Sequence, residues 1–121
     1  MRLPILNAFS WPEVMDETVA DMDPADMALN FYRPDPERYP LLGLAYEALR
    51  DGEGATDAYN AANEVAVAGF MEGRLAFTDI YRVVAATLER GFPSTLDDLE
   101  SVSDTNRRAR DIATAVLEEI G

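Results

Sequence analysis

From Tyr39 to the end of the chain, apolar residues recur at helical spacing; before Tyr39 that rhythm is missing. Leu41, Leu44, Ala45, Ala48 and Leu49 form one stripe. They predict a helix over about 40–50, opened by Pro40 in its first turn and ended by Asp51-Gly52-Glu53-Gly54. A second helix is expected over about 57–72, with Thr56 as its N-cap and Gly73 just past its end. Its residues are small nearly all round, so neighbouring elements should approach it closely. Ile80, Val83, Val84, Thr87 and Leu88 mark the core face of a third helix over about 79–90, with Thr78 as N-cap and Gly91 as the stop. Ser94 to Leu99 reads as a short helical turn. A fourth helix follows over about 104–120, its seam made by Ala109, Ile112, Val116 and Ile120. Four helices with short connections predict an antiparallel bundle.

Residues 1–38 differ. Pro4, Pro12, Pro24, Pro34 and Pro36 interrupt them. Arg2 to Ala8 could form a short strand with Pro4 at a sheet edge, and Met27 to Tyr32 alternates weakly enough to form another. Pro34-Asp35-Pro36-Glu37-Arg38 reads as a turn or extended connector, because each proline biases its predecessor away from the helix. The expected fold is mainly α: a four-helix bundle over 39–121, preceded over 1–38 by an extended arm with one or two short strands.

Composition narrows what such a fold can do. At 48% hydrophobic residues the chain can build a core. There is no Cys, which excludes disulfides and thiolate metal sites, and no His, the commonest general base. The net charge is −13, so phosphate backbones and anionic membrane surfaces would repel the chain. No apolar run approaches the length of a membrane span, and the N-terminus lacks the pattern of a secretory signal. All ten basic residues are Arg, a bias that fits either a high-salt source or codon usage.

The most informative stretch is Asn60-Ala61-Ala62-Asn63-Glu64-Val65-Ala66-Val67. At about 100° per residue, Asn60, Asn63 and Glu64 share one narrow face, opposite Ala58, Ala62, Val65 and Gly69. Three readings are open. The face could be a buried polar network satisfying a loop or arm, since an amide buried unpaired costs about 1–3 kcal/mol. It could be an interface to another domain. Catalysis is the third, but Glu64 has no His, Lys, Cys or second acid at suitable spacing. Asp21, Asp23 and Asp26 fail the calcium-loop pattern, which needs Gly at its sixth position and an acid at its twelfth, where this chain has Asp26 and Tyr32. Asp97, Asp98 and Glu100 suit a helix start. Arg107, Arg108 and Arg110 should pair within the chain. Trp11 should anchor the arm in an apolar seam. No Gly-rich dinucleotide fingerprint occurs.

Several segments, in order, resemble the 1-deoxy-D-xylulose 5-phosphate reductoisomerase family. Met1-Arg2-Leu3-Pro4-Ile5 is similar to the strand that closes that family's catalytic domain, and Trp11-Pro12 to the aromatic-Pro step after it. Leu29-Asn30-Phe31 and then Pro34-Asp35-Pro36-Glu37-Arg38-Tyr39-Pro40 resemble its connector. Leu44 to Leu49, Asn60 to Val67 and Gly73 to Ile80 resemble the helices and loop beyond. Gly43, Glu13 and Val14 stand where the family commonly has other residues, basic ones among them. The resemblance implies an NADPH-dependent enzyme of isoprenoid precursor synthesis, cytoplasmic and homodimeric, that rearranges and reduces its substrate to 2-C-methyl-D-erythritol 4-phosphate using a divalent metal, Mg or Mn. It also implies that the NADPH-binding and catalytic domains precede the part matched here. On that basis no catalytic, cofactor or metal residue carries over to this chain. Met1 comes nearest the family's active-site region, and Asn60, Asn63 and Glu64 make a structural or interdomain polar network. The chain alone is then expected to be inactive. A free-standing acidic helical interaction module is the alternative.

Overall fold

The computed structural model describes residues 2–13, 25 and 27–121, with only the backbone of residues 2 and 3. The chain forms two units, Met1–Arg33 and Pro34–Gly121.

The first unit corrects the expected strand over Arg2 to Ala8. Arg2–Ser10 is a helix, α1. Pro4 lies in its first turn, where its missing N–H would have had no acceptor within the helix. Met27 to Tyr32 is irregular, and no strand occurs among the described residues. A weak alternation with no neighbouring strand has nowhere to place its backbone hydrogen bonds. Trp11 is exposed in this chain rather than seated in a seam. The acidic positions Asp21, Asp23 and Asp26 lie outside the described residues, as does Met1.

The second unit contains four helices: α2 (Pro40–Asp51), α3 (Glu53–Met71), α4 (Asp79–Leu88) and α5 (Leu99–Ile120). The helix α3 is central. It packs most extensively on α5, then on α4 and α2. Ala58, Ala61, Ala62 and Ala66 are fully buried along it, and their small side chains allow this approach on several sides. The core gathers around Val83 and Val84 of α4 and around Ala113, Val116 and Leu117 of α5. On α5 the buried seam is therefore turned from the expected one. Ala109 and Val116 belong to it, but Ala113 and Leu117 replace Ile112 and Ile120, which are half-buried.

Two helix starts differ from expectation. The helix α3 begins at Glu53, not Asp57, and Thr56 lies inside it with its hydroxyl donating to the Glu53 carbonyl at 2.8 Å. Its first N–H groups are met from far along the chain. Glu53 N–H donates to the Ser94 carbonyl (3.0 Å) and Gly54 N–H to the Pro93 carbonyl (3.1 Å). The Glu53 carboxylate in turn accepts from Leu96 N–H at 2.7 Å. Orphan donors at a helix start need partners, and here a loop 40 residues away provides them, so Ser94 to Asp98 is not a helical turn.

The helix α5 starts at Leu99, capped by Asp98. The Asp98 carboxylate accepts from Ser101 N–H at 2.7 Å, and the Ser101 hydroxyl accepts from Asp98 N–H at 3.1 Å. The Ser101 hydrogen bonds hold the Asp98 carboxyl below the usual carboxylate range. A lowered folded-state pKa contributes stability above the unfolded carboxylate range, and that stability is lost as pH falls through the folded value. Amide exchange at the start of α5 should therefore quicken on acidification. Asp98→Asn, which keeps an acceptor but does not titrate, should flatten that dependence; an unchanged pH profile would contradict the assignment.

Candidate functional site

Around α3 the structure separates the three residues that the sequence placed on one face. Asn60 and Glu64 are exposed and bonded to each other, the Asn60 amide donating to Glu64 Oε1 at 3.2 Å. Arg110 of α5 donates from one guanidinium nitrogen to Glu64 Oε2 and from Nε to Asn106 Oδ1 at 2.9 Å. The Asn106 amide then donates to Asp57 Oδ1 at 2.9 Å. The result is a polar clasp that runs Asn60, Glu64, Arg110, Asn106, Asp57 and joins α3 to α5. The Arg110 hydrogen bond, then the one from Asn60, then the Arg110 charge lower the Glu64 pKa. Glu64 is thus held as a carboxylate, not poised as an acid or base near neutrality. The other basic residues nearby are also engaged: Arg107 pairs with Asp104, and the Arg108 guanidinium lies 4.8 Å from the Phe92 ring centroid.

Asn63 points elsewhere. It is half-buried, and with Val67 one turn on it lines a groove of about 630 Å³. The rim is the connector turn with Arg38 and Tyr39 and the first turn of α2 with Leu42, and the far wall is Phe77 and Thr78 just before α4 with Tyr81 in its first turn. Asp35 fixes that rim. Its carboxylate accepts from Glu37 N–H (2.9 Å) and Arg38 N–H (3.3 Å), and its carbonyl accepts from Tyr39 N–H (2.9 Å). Asp does this readily two residues ahead in a turn. On the wall, the Phe77 ring meets Phe70 edge-on at 5.7 Å between centroids. Outside the groove, Tyr59 ties α3 to α2: its hydroxyl donates to the Leu41 carbonyl at 3.1 Å, and burial raises its pKa.

Sequence reasoning missed the groove. A signal was there: Tyr39, Phe77 and Tyr81 are aromatic residues outside every core stripe. It also missed Arg110 as the partner of Glu64, because the two are brought together by the packing of α5 on α3.

Among the described residues, no group of three His, Cys, Asp or Glu side chains converges to hold a metal ion. No strand–turn–helix cradle for a dinucleotide pyrophosphate occurs there either, so the described residues do not fit an NADPH or metal site. No helix among them is long and apolar enough to cross a membrane. Fold and surface together define a small helical domain that presents a clasp and an open groove.

The family described as the DXP reductoisomerase C-terminal domain matches residues 1–112, and the chain belongs to that family. It is 47% identical over 118 residues to the 1-deoxy-D-xylulose 5-phosphate reductoisomerase of Aromatoleum aromaticum, covering 97% of this chain and 29% of the relative. It is 43% identical over 121 residues to that of Cupriavidus pinatubonensis, covering 99% of this chain and 31% of the relative. Among solved structures, the Zymomonas mobilis reductoisomerase in complex with NADPH superposes with a TM-score of 0.84 at 36% identity, covering 97% of this chain and 31% of that one. A DOX-P reductoisomerase in complex with NADPH, fosmidomycin and magnesium gives 0.84 at 33% identity, with 96% and 31% covered. The chain thus spans about a third of the length of the curated relatives it matches.

Proposed function

We propose that this chain acts as the C-terminal helical domain of a 1-deoxy-D-xylulose 5-phosphate reductoisomerase. The complete enzyme would carry out the NADPH-dependent rearrangement and reduction of 1-deoxy-D-xylulose 5-phosphate for isoprenoid precursor synthesis. The observation that carries this is the family match over residues 1–112, together with superposition on an NADPH-bound reductoisomerase. In that reading NADPH and the divalent metal belong to the domains that precede this one, and the assembled protein is a cytoplasmic homodimer. The acidic surface supports a role away from nucleic acid and membranes. Residues 39–121 form the helical domain, and residues 1–38 are the end of the catalytic domain and its connector. Within the domain, Asn60 and Glu64 serve the clasp to α5, and Asn63 serves contact with another domain.

The role is structural, so the 121-residue chain is expected to be inactive by itself. Mixed with NADPH, magnesium and 1-deoxy-D-xylulose 5-phosphate, the purified chain should cause no substrate-dependent loss of nicotinamide absorbance. Turnover by the pure chain would overturn the assignment of the chemistry to preceding domains.

A further inference from the structure

We propose that the groove between the connector turn, α3 and the start of α4 receives an extended segment from the amino-terminal part of the reductoisomerase polypeptide. The backbone of that segment would pair with Asn63, and an apolar side chain of it would lie against Phe77. This inference rests on the functional reading above and adds the place and chemistry of the contact.

The lining is unlike an ordinary surface. Tyr39, Leu42, Val67, Phe77 and Tyr81 are all open to solvent, Phe77 by 72%, and they border one depression. Contiguous apolar surface of this kind marks an interaction site more often than scattered exposed residues do. Its rim is held in place by the Asp35 turn, so the groove exists before anything binds.

Asn63 indicates what binds. The Asn60 side chain donates to Glu64, whereas the Asn63 side chain, inside the same helix, makes no hydrogen bond to another described residue. Its amide offers two donors and an acceptor at the edge of an apolar lining. A purely apolar occupant would cover that amide unpaired, which is unfavourable. An occupying helix would have its own backbone groups already bonded internally. An extended segment presents free N–H and C=O groups along with side chains and satisfies both halves of the groove.

The identity of the occupant follows from chain length and charge. The matched family is a C-terminal domain, and this chain spans 29% of the Aromatoleum aromaticum relative. The larger part of such a polypeptide therefore precedes the matched region and is tethered through the connector that forms the rim. A tethered segment reaches the groove at high effective concentration. A second copy of this chain would bring another −13 charge to the same surface and is disfavoured.

This chain has no Cys, so a thiol introduced into it is its only one, and mass spectrometry follows that site by its own peptide. Thr78 is exposed and lines the groove; Tyr46 is exposed on α2, outside it. T78C or Y46C is introduced into the 121-residue chain. Each is also introduced into a chimera in which this chain replaces the matching C-terminal part of the Aromatoleum aromaticum enzyme. Alkylation at the introduced thiol is followed by mass spectrometry. The T78C thiol should react at least about tenfold more slowly in the chimera than in the chain alone, with Y46C unchanged. Adding N63L to the chimera should return much of the T78C rate. Equal T78C rates in chain and chimera would overturn the proposal, as would protection in the chain alone that grows with its concentration, which indicates a second copy. Turnover by the same chimera reports separately on the functional reading: turnover with equal rates sinks the groove alone, whereas protection without turnover supports the groove and counts against the activity. Where the covalent chimera is insoluble, co-expression of the two parts as separate polypeptides gives the same comparison, with equal rates again contrary.

Discussion

Gly52→Ala is expected to destabilise the helical unit by about 2–3 kcal/mol, seen as a lower urea midpoint with an unchanged slope. Gly52 alone separates α2 from α3, and it has φ 114° and ψ −168°, a region essentially reserved for glycine. Strain of that kind costs about 1–3 kcal/mol for any other residue. A Cβ there would also stand 2.2 Å from the Ser94 carbonyl oxygen, a backbone atom. Relieving that clash moves Ser94 away and weakens the Glu53 N–H hydrogen bond, worth about 1 kcal/mol net. Reduced freedom of the unfolded chain offsets about 0.4–1 kcal/mol of the loss. An alanine variant as stable as the wild type would show that the 93–94 loop does not hold α3 as described.

Leu117→Ala is expected to cost about 2–5 kcal/mol in the same assay. Leu117 is 2% exposed and packs where α5 meets α3 in the main core. A Cβ added at Gly69 would lie 2.4 Å from Leu117 Cδ1, so the two helices meet there across a glycine. This close approach gives a sharper forecast. Gly69→Ala alone gains about 0.5–1 kcal/mol of helix stability but must displace the buried Leu117 side chain, so it should be less favourable than in a chain lacking that side chain. In the Leu117→Ala background the same change should be neutral or stabilising, because it fills part of the cavity. A double-mutant cycle should show coupling well above the roughly 0.3–0.5 kcal/mol of independent sites. Additive effects would contradict the packing.

The helices themselves were legible because each rests on local chemistry. Pro40 opens α2, and Ile80, Val83, Val84 and Thr87 are buried on α4 as their spacing requires. The misplaced starts have a shared cause. The first donors of α3 are satisfied by Pro93 and Ser94, a long-range contact that no local pattern announces. The cap of α5 pairs Asp98 with Ser101, so the helix starts at Leu99, several residues before the expected 104 and within the stretch expected as a separate short turn. Arg2 to Ala8 is helical and not the expected strand because proline is tolerated in a first helical turn as well as at a sheet edge, so Pro4 does not decide between them. In the site, one-turn spacing puts Asn60 and Glu64 on the same face, and the bond between them is what that spacing allows. The turning of Asn63 away from that pair was not legible, since it depends on where α4 and the connector pack. The family resemblance rests on several ordered segments at once and so does not depend on any one helix boundary.

The proposed role is to complete a reductoisomerase without carrying its chemistry. The most direct measurement replaces the matching C-terminal part of the Aromatoleum aromaticum enzyme with this chain and follows NADPH oxidation driven by 1-deoxy-D-xylulose 5-phosphate. Three samples are compared: the chimera, the relative cut off before the matched part, and the 121-residue chain. That role requires turnover by the chimera and none by either part alone. A soluble chimera without turnover, or turnover by the truncated relative, would contradict it.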